Sequence, residues 1–466
     1  MSRFKSGMNR DRRRLLMGMS GLLASSGLAI PWPIRVALAQ AQRDYKAVIC
    51  IFLNGGNDGN DMLIPADGAY GDYANAHGPL ALPLDELVRL NLSNTERRLG
   101  LNPAMAPMKH LVDQGQVAWI ANAGPLVEPI SADDVKNGRA RMPSLLGSHP
   151  DQARHVSGGV PGTFAANSGW GGRTLEAMPG DLVDGLLSNL SLSRNNWLMR
   201  GRYWNPTMAE DREHFTSLDL RHILDGGNPR EFQAYQEAVG DAGAGDDLSF
   251  AYRSAVGNVL DEVLELRRVL DKVPSHIAPQ LSDRQDHELN QRLRTMVRTL
   301  WAGREAGVQR QMAYLQWGGF DTHSDQRGKT LEHQDGQLAE LARSLADLDE
   351  QLWVGGLHDE VVTVILSEFG RPLKPNSSGG TDHGWGNHFL VMGGPVNGNR
   401  LIGRMPEMIL GGADDMDEDG QGRWVPTIHT DQISASVMEW FGLPQTSLNQ
   451  VFVNLENFPN PTLDLF

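Results

Sequence analysis

The chain reads as an α/β protein, with a mostly parallel central sheet flanked by helices and a helix-rich insertion at about 181–310. Three observations lead there. Short apolar, β-branched runs recur along the chain, and each leads into a glycine-rich loop. Between Gln311 and Leu366 the order is strand, loop, amphipathic helix, strand, a βαβ unit whose strands normally run parallel. From about 181 to 310 the strand signals stop, and a polar segment with helical apolar spacing takes over. The 466 residues exceed what one simple core usually holds, so the extra length is assigned to that insertion within one domain, 40–466.

Residues 1–39 are set apart as a leader. Asp11-Arg12-Arg13-Arg14-Leu15-Leu16 is a twin-arginine pattern; an apolar segment to Ile30 and the small residues of Ala37-Leu38-Ala39 follow. The apolar stretch is interrupted and stops before Pro31, short of the about 20 residues a spanning helix needs. The expectation is a folded protein exported by the twin-arginine pathway to the periplasm or beyond, starting near Gln40, with no stable membrane span. An uncleaved N-terminal anchor is the alternative.

The chain holds 42 basic and 57 acidic residues. Removing the leader's seven basic and one acidic residue leaves 35 against 56, a net charge of −21. Such a field disfavours nucleic acid and anionic membranes as partners. An anionic substrate would need local metal or arginine charge to overcome it. The single cysteine, Cys50, excludes an intrachain disulfide and a thiolate zinc site, and its apolar setting marks it as a small buried hydrophobe.

Taken in order, Ala47–Leu53 is the first strand, running into Asn54-Gly55-Gly56-Asn57-Asp58-Gly59-Asn60-Asp61. Glycines there admit close backbone approach, and Asp58 is a hard oxygen donor, although such clusters also make plain turns. Pro65–Gly115 reads as helices and loops, and Val117–Ala121 as a second buried strand. Ser148, in Ser148-His149-Pro150-Asp151-Gln152, is either a helix N-cap or a nucleophile at a helix start. Helical spacing marks Val256–Val273 and Leu289–Ala306, with Asp241–Asp246 as a linker.

The strand Gln311–Trp317 ends in Gly318-Gly319-Phe320-Asp321-Thr322-His323, where a carboxylate and an imidazole two residues apart can share one ion. Leu331–Trp353 is the amphipathic helix, with Leu331, Leu338, Leu341, Leu345, Leu348 and Leu352 on one face. Val361–Leu366 is the next buried strand, and Glu368 and Arg371 lie just past its end. Asp382, His383 and His388 follow, then the apolar run Phe389–Met392. Ligands of open α/β sheets bind outside the carboxyl ends of strands, so these loops are expected to converge there on a metal site. Asp415–Gly420 opens like a calcium loop, but Pro426 stands where the bidentate glutamate belongs, which favours a solvated acidic loop. Asp431–Gly442 is amphipathic, with His429 as its cap, and Asn454–Phe466 reads as a tail on the surface.

The twin-arginine leader, FLNGGNDGND, SHPDQ, GGFDTHSDQ, SEFGRP, GGTDHGWGNHFLVMGG, GRWVPTIHTDQ and the closing WFGLP and NLENF together resemble an uncharacterised secreted bacterial family. It is a domain of unknown function grouped with the alkaline phosphatase-like superfamily. The resemblance implies a two-metal fold for hydrolysis of phosphate or sulfate esters, with one or two divalent ions (Zn, Mg, Mn or Ca). It implies Asp58 as the nearest counterpart of the first metal-binding aspartate, Ser148 as nucleophile, and Asp321 and His323 on one metal. The superfamily's later Asp-His pair matches Glu368-Phe369 by strand position, with the histidine lost, or Asp382-His383 by residue type. In the first case His383 corresponds to the superfamily's last histidine.

In such an enzyme Arg371 would neutralise the transferring group, and His383 or His388 would ligate metal or protonate the leaving oxygen. The expected partners are a small-molecule or polymer-linked ester and a companion secreted protein. The competing reading is a secreted binding protein that keeps the fold without turnover. A third, a carbohydrate-active protein with paired carboxylates, has only the tryptophan-rich middle behind it.

Overall fold

The computed structural model describes residues 44–158, 168–180, 182–183, 186–193, 197–208, 268–281 and 288–466. The leader, the linker 241–246, most of the helix expected at 256–273 and much of the insertion lie outside these residues.

Nine described strands make the central sheet: β1 Lys46–Asn54, β2 Val117–Gly124, β3 Asn189–Ser191, β4 Thr207–Met208, β5 Arg310–Gly318, β6 Val361–Ser367, β7 Asn387–Met392, β8 Arg400–Ile402 and β9 Ile428–His429. Their order is β8-β2-β7-β6-β1-β5-β3-β4, with β9 also paired to β2. Only β7 runs antiparallel to its neighbours, β2 and β6; the other pairings are parallel. This is the mostly parallel α/β sheet read from the sequence.

The central strand β1 is buried along both faces, as strands covered by helices on each side must be. Val48, Cys50 and Phe52 pack on the side of helix α4, Thr430–Phe441, with Ile433, Val437 and Phe441. By alternation Ile49, Ile51 and Leu53 face the opposite layer and are equally buried. Each such side chain contributes about 1.5–3 kcal/mol on leaving water. Burial pushes the Cys50 thiol well up, which fits an inert core residue.

Helix α3, Gln334–Val354, joins β5 to β6, and β1 lies between those two strands, so the crossover skips one position. Its leucines at 338, 341, 345, 348 and 352 are buried, but Leu331 is exposed. The helix starts three residues later than expected because His333 adopts extended backbone as its N-cap. Helix α2, Glu288–Ala306, packs against α3.

Two expectations are corrected here. The region read as helices and loops also holds a small antiparallel sheet, Leu63–Pro65, Leu99–Leu101 and Val88–Leu90; three-residue strands are too short to show alternation. The tail is not merely laid on the surface: Leu455 and Leu465 are buried in the core, and the Leu465 carbonyl accepts the Asn397 N–H at 2.8 Å.

Register brings the functional loops to one edge. Asn54 of β1 pairs with Gly318 of β5, and Leu53 with Ser367 of β6, so these three strands end level. Because β7 runs the other way, its first residue, Asn387, lies at the same edge opposite Ala123 of β2. The β1 turn depends on Gly55 and Gly56, at φ +115° and +72°. A Cβ on Gly55 would lie 2.5 Å from the Asp321 nitrogen. Gly55→Ala should therefore cost about 3 kcal/mol or more, from left-handed backbone strain plus the clash, read as a lower urea midpoint. A midpoint equal to the parent chain's would contradict this packing.

Candidate metal centre

Three loops meet at that edge: those that follow β1 and β5, and the long connection from β6 to β7. A fourth element, helix α1, His149–Val156, arrives over them with Pro150 in its first turn. His149, Asp321 and His383 each offer one donor atom within 4.8 Å of the others. His149 Nε2 is 3.1 Å from His383 Nε2 and 3.4 Å from Asp321 Oδ2. His383 Nε2 is 3.3 Å from Asp321 Oδ1. His323 stands at the more exposed rim, its Nε2 2.9 Å from His383 Nε2 and 3.0 Å from Asp321 Oδ1.

The other nitrogen of every ring faces an acceptor. His149 Nδ1 donates to Glu368 Oε1 at 2.8 Å, His383 Nδ1 to the Gly147 carbonyl at 2.6 Å, and His323 Nδ1 to Asp382 Oδ1 at 3.3 Å. A carbonyl or carboxylate must receive a proton, so each neutral ring turns an Nε2 lone pair inward. Lone pairs at these distances repel. A shared proton relieves one such pair, whereas one cation relieves them all. The 3.1 Å between the two rings, the 3.3 Å from His383 to Asp321 Oδ1 and the 3.4 Å from His149 to Oδ2 are each near the about 3.3 Å between ligands of a tetrahedral ion with bonds near 2.0–2.1 Å, with the carboxylate turning a different oxygen to each ring. Three donors with an open corner, and rings oriented from behind by carboxylate and carbonyl, fit a bound divalent ion.

Local electrostatics follow from these contacts. The hydrogen bond to Glu368 raises the His149 imidazole above its ordinary value, against partial burial. Burial lowers His383. Burial alone would raise Asp321, but the Arg371 guanidinium 2.6 Å away outweighs it and holds the carboxyl below the usual range. Phe369 packs behind two of the rings, 4.8 Å from both His149 and His383.

The residues expected from sequence fall into three groups. Asp321, His323 and His383 come together. Glu368 and Asp382 are present, but each faces the outer nitrogen of a histidine; Glu368 is fully buried and also accepts the Gly55 N–H at 2.8 Å. Four others take different places. Arg371 is fully buried, and its N–H groups go to the carbonyls of Gly55, Gly56, Phe320, Thr381 and Asp382 and to Asp321. It has no donor left for a substrate. The Ser148 hydroxyl donates to the Asp151 carboxylate and makes no cap bond to the helix.

Asp58 belongs to a second, buried cluster with Asp61 and His77. Gln326 Nε2 donates to Asp58 at 2.8 Å and Asp61 at 2.7 Å; Arg327 Nη2 and His77 Nε2 meet Asp61 at 2.5 and 3.1 Å. Burial and the neighbouring Asp61 push Asp58 up to about 6. Arg327 and His77 outweigh burial and hold Asp61 down to about 2. With the guanidinium and a His77 raised by Asp61 despite its burial, this cluster balances its own charge. His388 is also elsewhere: its Nδ1 accepts the Asn122 N–H at 3.1 Å inside the core.

His149 is the candidate ligand missing from the sequence reading. It sits beside Ser148 in the motif already singled out, and a histidine entering a helix just before proline was the available signal. The calcium-like loop is settled differently from either expectation: the buried Asp415 carboxylate accepts backbone N–H groups from Gly411, Asp417, Gly422 and Arg423, which leaves it no role as an ion ligand.

A family described as "Protein of unknown function (DUF1501)" matches residues 205–429, a little under half of the chain. Among solved structures the chain is similar to Ps i-CgsB, at 10% identity and TM-score 0.35, over 90% of this chain and 77% of that one. It is similar to the phosphonate monoester hydrolase SpPMH from Silicibacter pomeroyi, at 11% identity and TM-score 0.33, over 86% and 74%. A Bacteroides thetaiotaomicron protein of glycosaminoglycan metabolism is matched at 10% identity and TM-score 0.31, over 88% and 82%. No curated protein matches the chain. No helix among the described residues is long and apolar enough to cross a membrane.

Burial lowers His388 from 6.5 to about 4. Between those values the unfolded chain binds a proton that the folded chain refuses, so stability is full above pH 6.5 and declines as pH falls towards 4. The loss from this residue should reach up to about 3 kcal/mol. His388→Asn keeps an acceptor for Asn122 and removes the titration. Its denaturation midpoint should change less over that interval than the parent's; equal slopes would refute the assignment.

Proposed function

We propose that the chain is an exported metal-dependent hydrolase of phosphate or sulfate esters, working at the centre formed by His149, Asp321 and His383. The observation that carries this reading is the inward convergence of those three donors, with every ring fixed from behind. Two imidazoles and a carboxylate suit zinc or a similar borderline ion better than magnesium or calcium, which favour all-oxygen sets. When bound, such an ion supplies Lewis acidity and eases deprotonation of water at neutral pH.

The protein's own groups do the rest. Glu368 and the Gly147 carbonyl hold His149 and His383 in the tautomer that faces inward. Arg371 keeps Asp321 ionised and aimed. His323, backed by Asp382, is the group positioned to accept a proton from water or return one to a leaving oxygen at Nε2. With the Ser148 hydroxyl engaged by Asp151, water is the attacking group this site favours. One observation supports the second reading, a secreted binding protein that retains the ion without turnover and joins a companion protein: the arginine expected to contact the ester has no free N–H.

The test is elemental analysis of protein from its own host, paired with a panel of phosphomonoesters, phosphodiesters and sulfate esters. His149→Ala should lower metal affinity and turnover by at least about 100-fold, while Ser148→Ala should change either by less than about threefold. Metal-loaded protein that is inert on the whole panel would select the binding reading. Protein that takes no metal would end the hydrolase reading.

A further inference from the structure

We infer that the centre takes a single divalent cation, and that Arg371 excludes a second by standing where that ion would bind. The inference rests on the metal-centre reading and sharpens it.

Paired-ion centres place two cations about 3.5–4 Å apart, usually across shared oxygen ligands. Asp321 is the carboxylate here with an oxygen on each side: Oδ2 towards His149, and Oδ1 towards His383 and His323. Arg371 Nη2 already meets Oδ1 at 2.6 Å. Its guanidinium is permanently charged, fully buried and tied to five backbone carbonyls, so it cannot swing away to admit an ion. The other carboxylates are committed: Glu368 to Gly55 and His149, Asp382 to His323 and, at 3.1 Å, to Asn376.

Charge gives the same count. Asp321, Glu368 and Asp382 against Arg371 leave two negative charges, matched by one divalent ion. The same device recurs at the second acidic cluster, where Arg327 lies 2.5 Å from Asp61 and closes it without an ion. Two guanidinium groups thus stand in for cations, and the described residues leave room for one metal.

The experiment is titration of the full chain with zinc by calorimetry, and with cobalt(II) followed by electron paramagnetic resonance. The expected result is one zinc per chain and an uncoupled cobalt signal at excess metal. Two ions of comparable affinity, or a spin-coupled cobalt pair, would overturn the inference and leave the hydrolase reading standing. No binding would overturn both. Arg371→Met removes the charge and should admit a second ion; Arg371→Lys keeps the charge and should still bind one. An Arg371→Met chain that is folded by near-ultraviolet dichroism and still stops at one ion would overturn the arginine's role, and the parent stoichiometry decides the count if that variant does not fold.

Discussion

The guanidinium of Arg371 is the constraint on which the functional edge depends. It lies just past β6, in the long connection to β7, and reaches two other loops, Gly55-Gly56 after β1 and Phe320-Asp321 after β5, as well as Thr381-Asp382 further along its own loop. Burying such a charge is costly unless every N–H is satisfied and a counter-ion is near. Here backbone carbonyls provide the first and Asp321 the second. The glycines of the β1 turn are needed because only they let the main chain come close enough; a Cβ on Gly56 would strike the Phe369 ring. Turn chemistry, arginine and metal-facing carboxylate form one unit.

The two acidic clusters show how similar residues acquire different roles. Each combines aspartate, histidine and arginine. At Asp58, Asp61 and His77 the lone pairs are taken by Gln326, Arg327 and His77 itself, away from water. At His149, Asp321 and His383 the outer nitrogens are taken and the inner ones left facing one another. The first arrangement is complete as it stands. The second leaves lone pairs facing one another, an arrangement that a cation would complete. Gln326 also links the two regions, since its carbonyl oxygen accepts from Thr381, next to Asp382.

Much of the architecture was legible in composition and period. The five main strands and the long helix announce themselves because their burial demands β-branched runs or leucines at helical spacing, and burial is a local, repeated requirement. The site was legible in part. Asp321, His323 and His383 stand out because they follow strands in glycine-rich loops, whose ends register brings level. Asp58 stood out for the same reason and went elsewhere, because a two-residue turn onto the Asn60 N–H and the Gln326 amide captured it. His149 gave little signal, since its partner Glu368 lies 219 positions away.

The sequence alone determined a parallel α/β sheet, the strands that flank its centre and the loops that carry imidazole and carboxylate. Tertiary structure decided what each group does: that Arg371 faces inward to carbonyls, that Glu368 and Asp382 orient rings, and that helix α1 brings His149 to Asp321 and His383. The physical reason is one of range. Strand and helix period is set by neighbours along the chain, whereas a side chain's role is set by whichever donor or acceptor reaches it within about 3 Å, and that partner is chosen by packing.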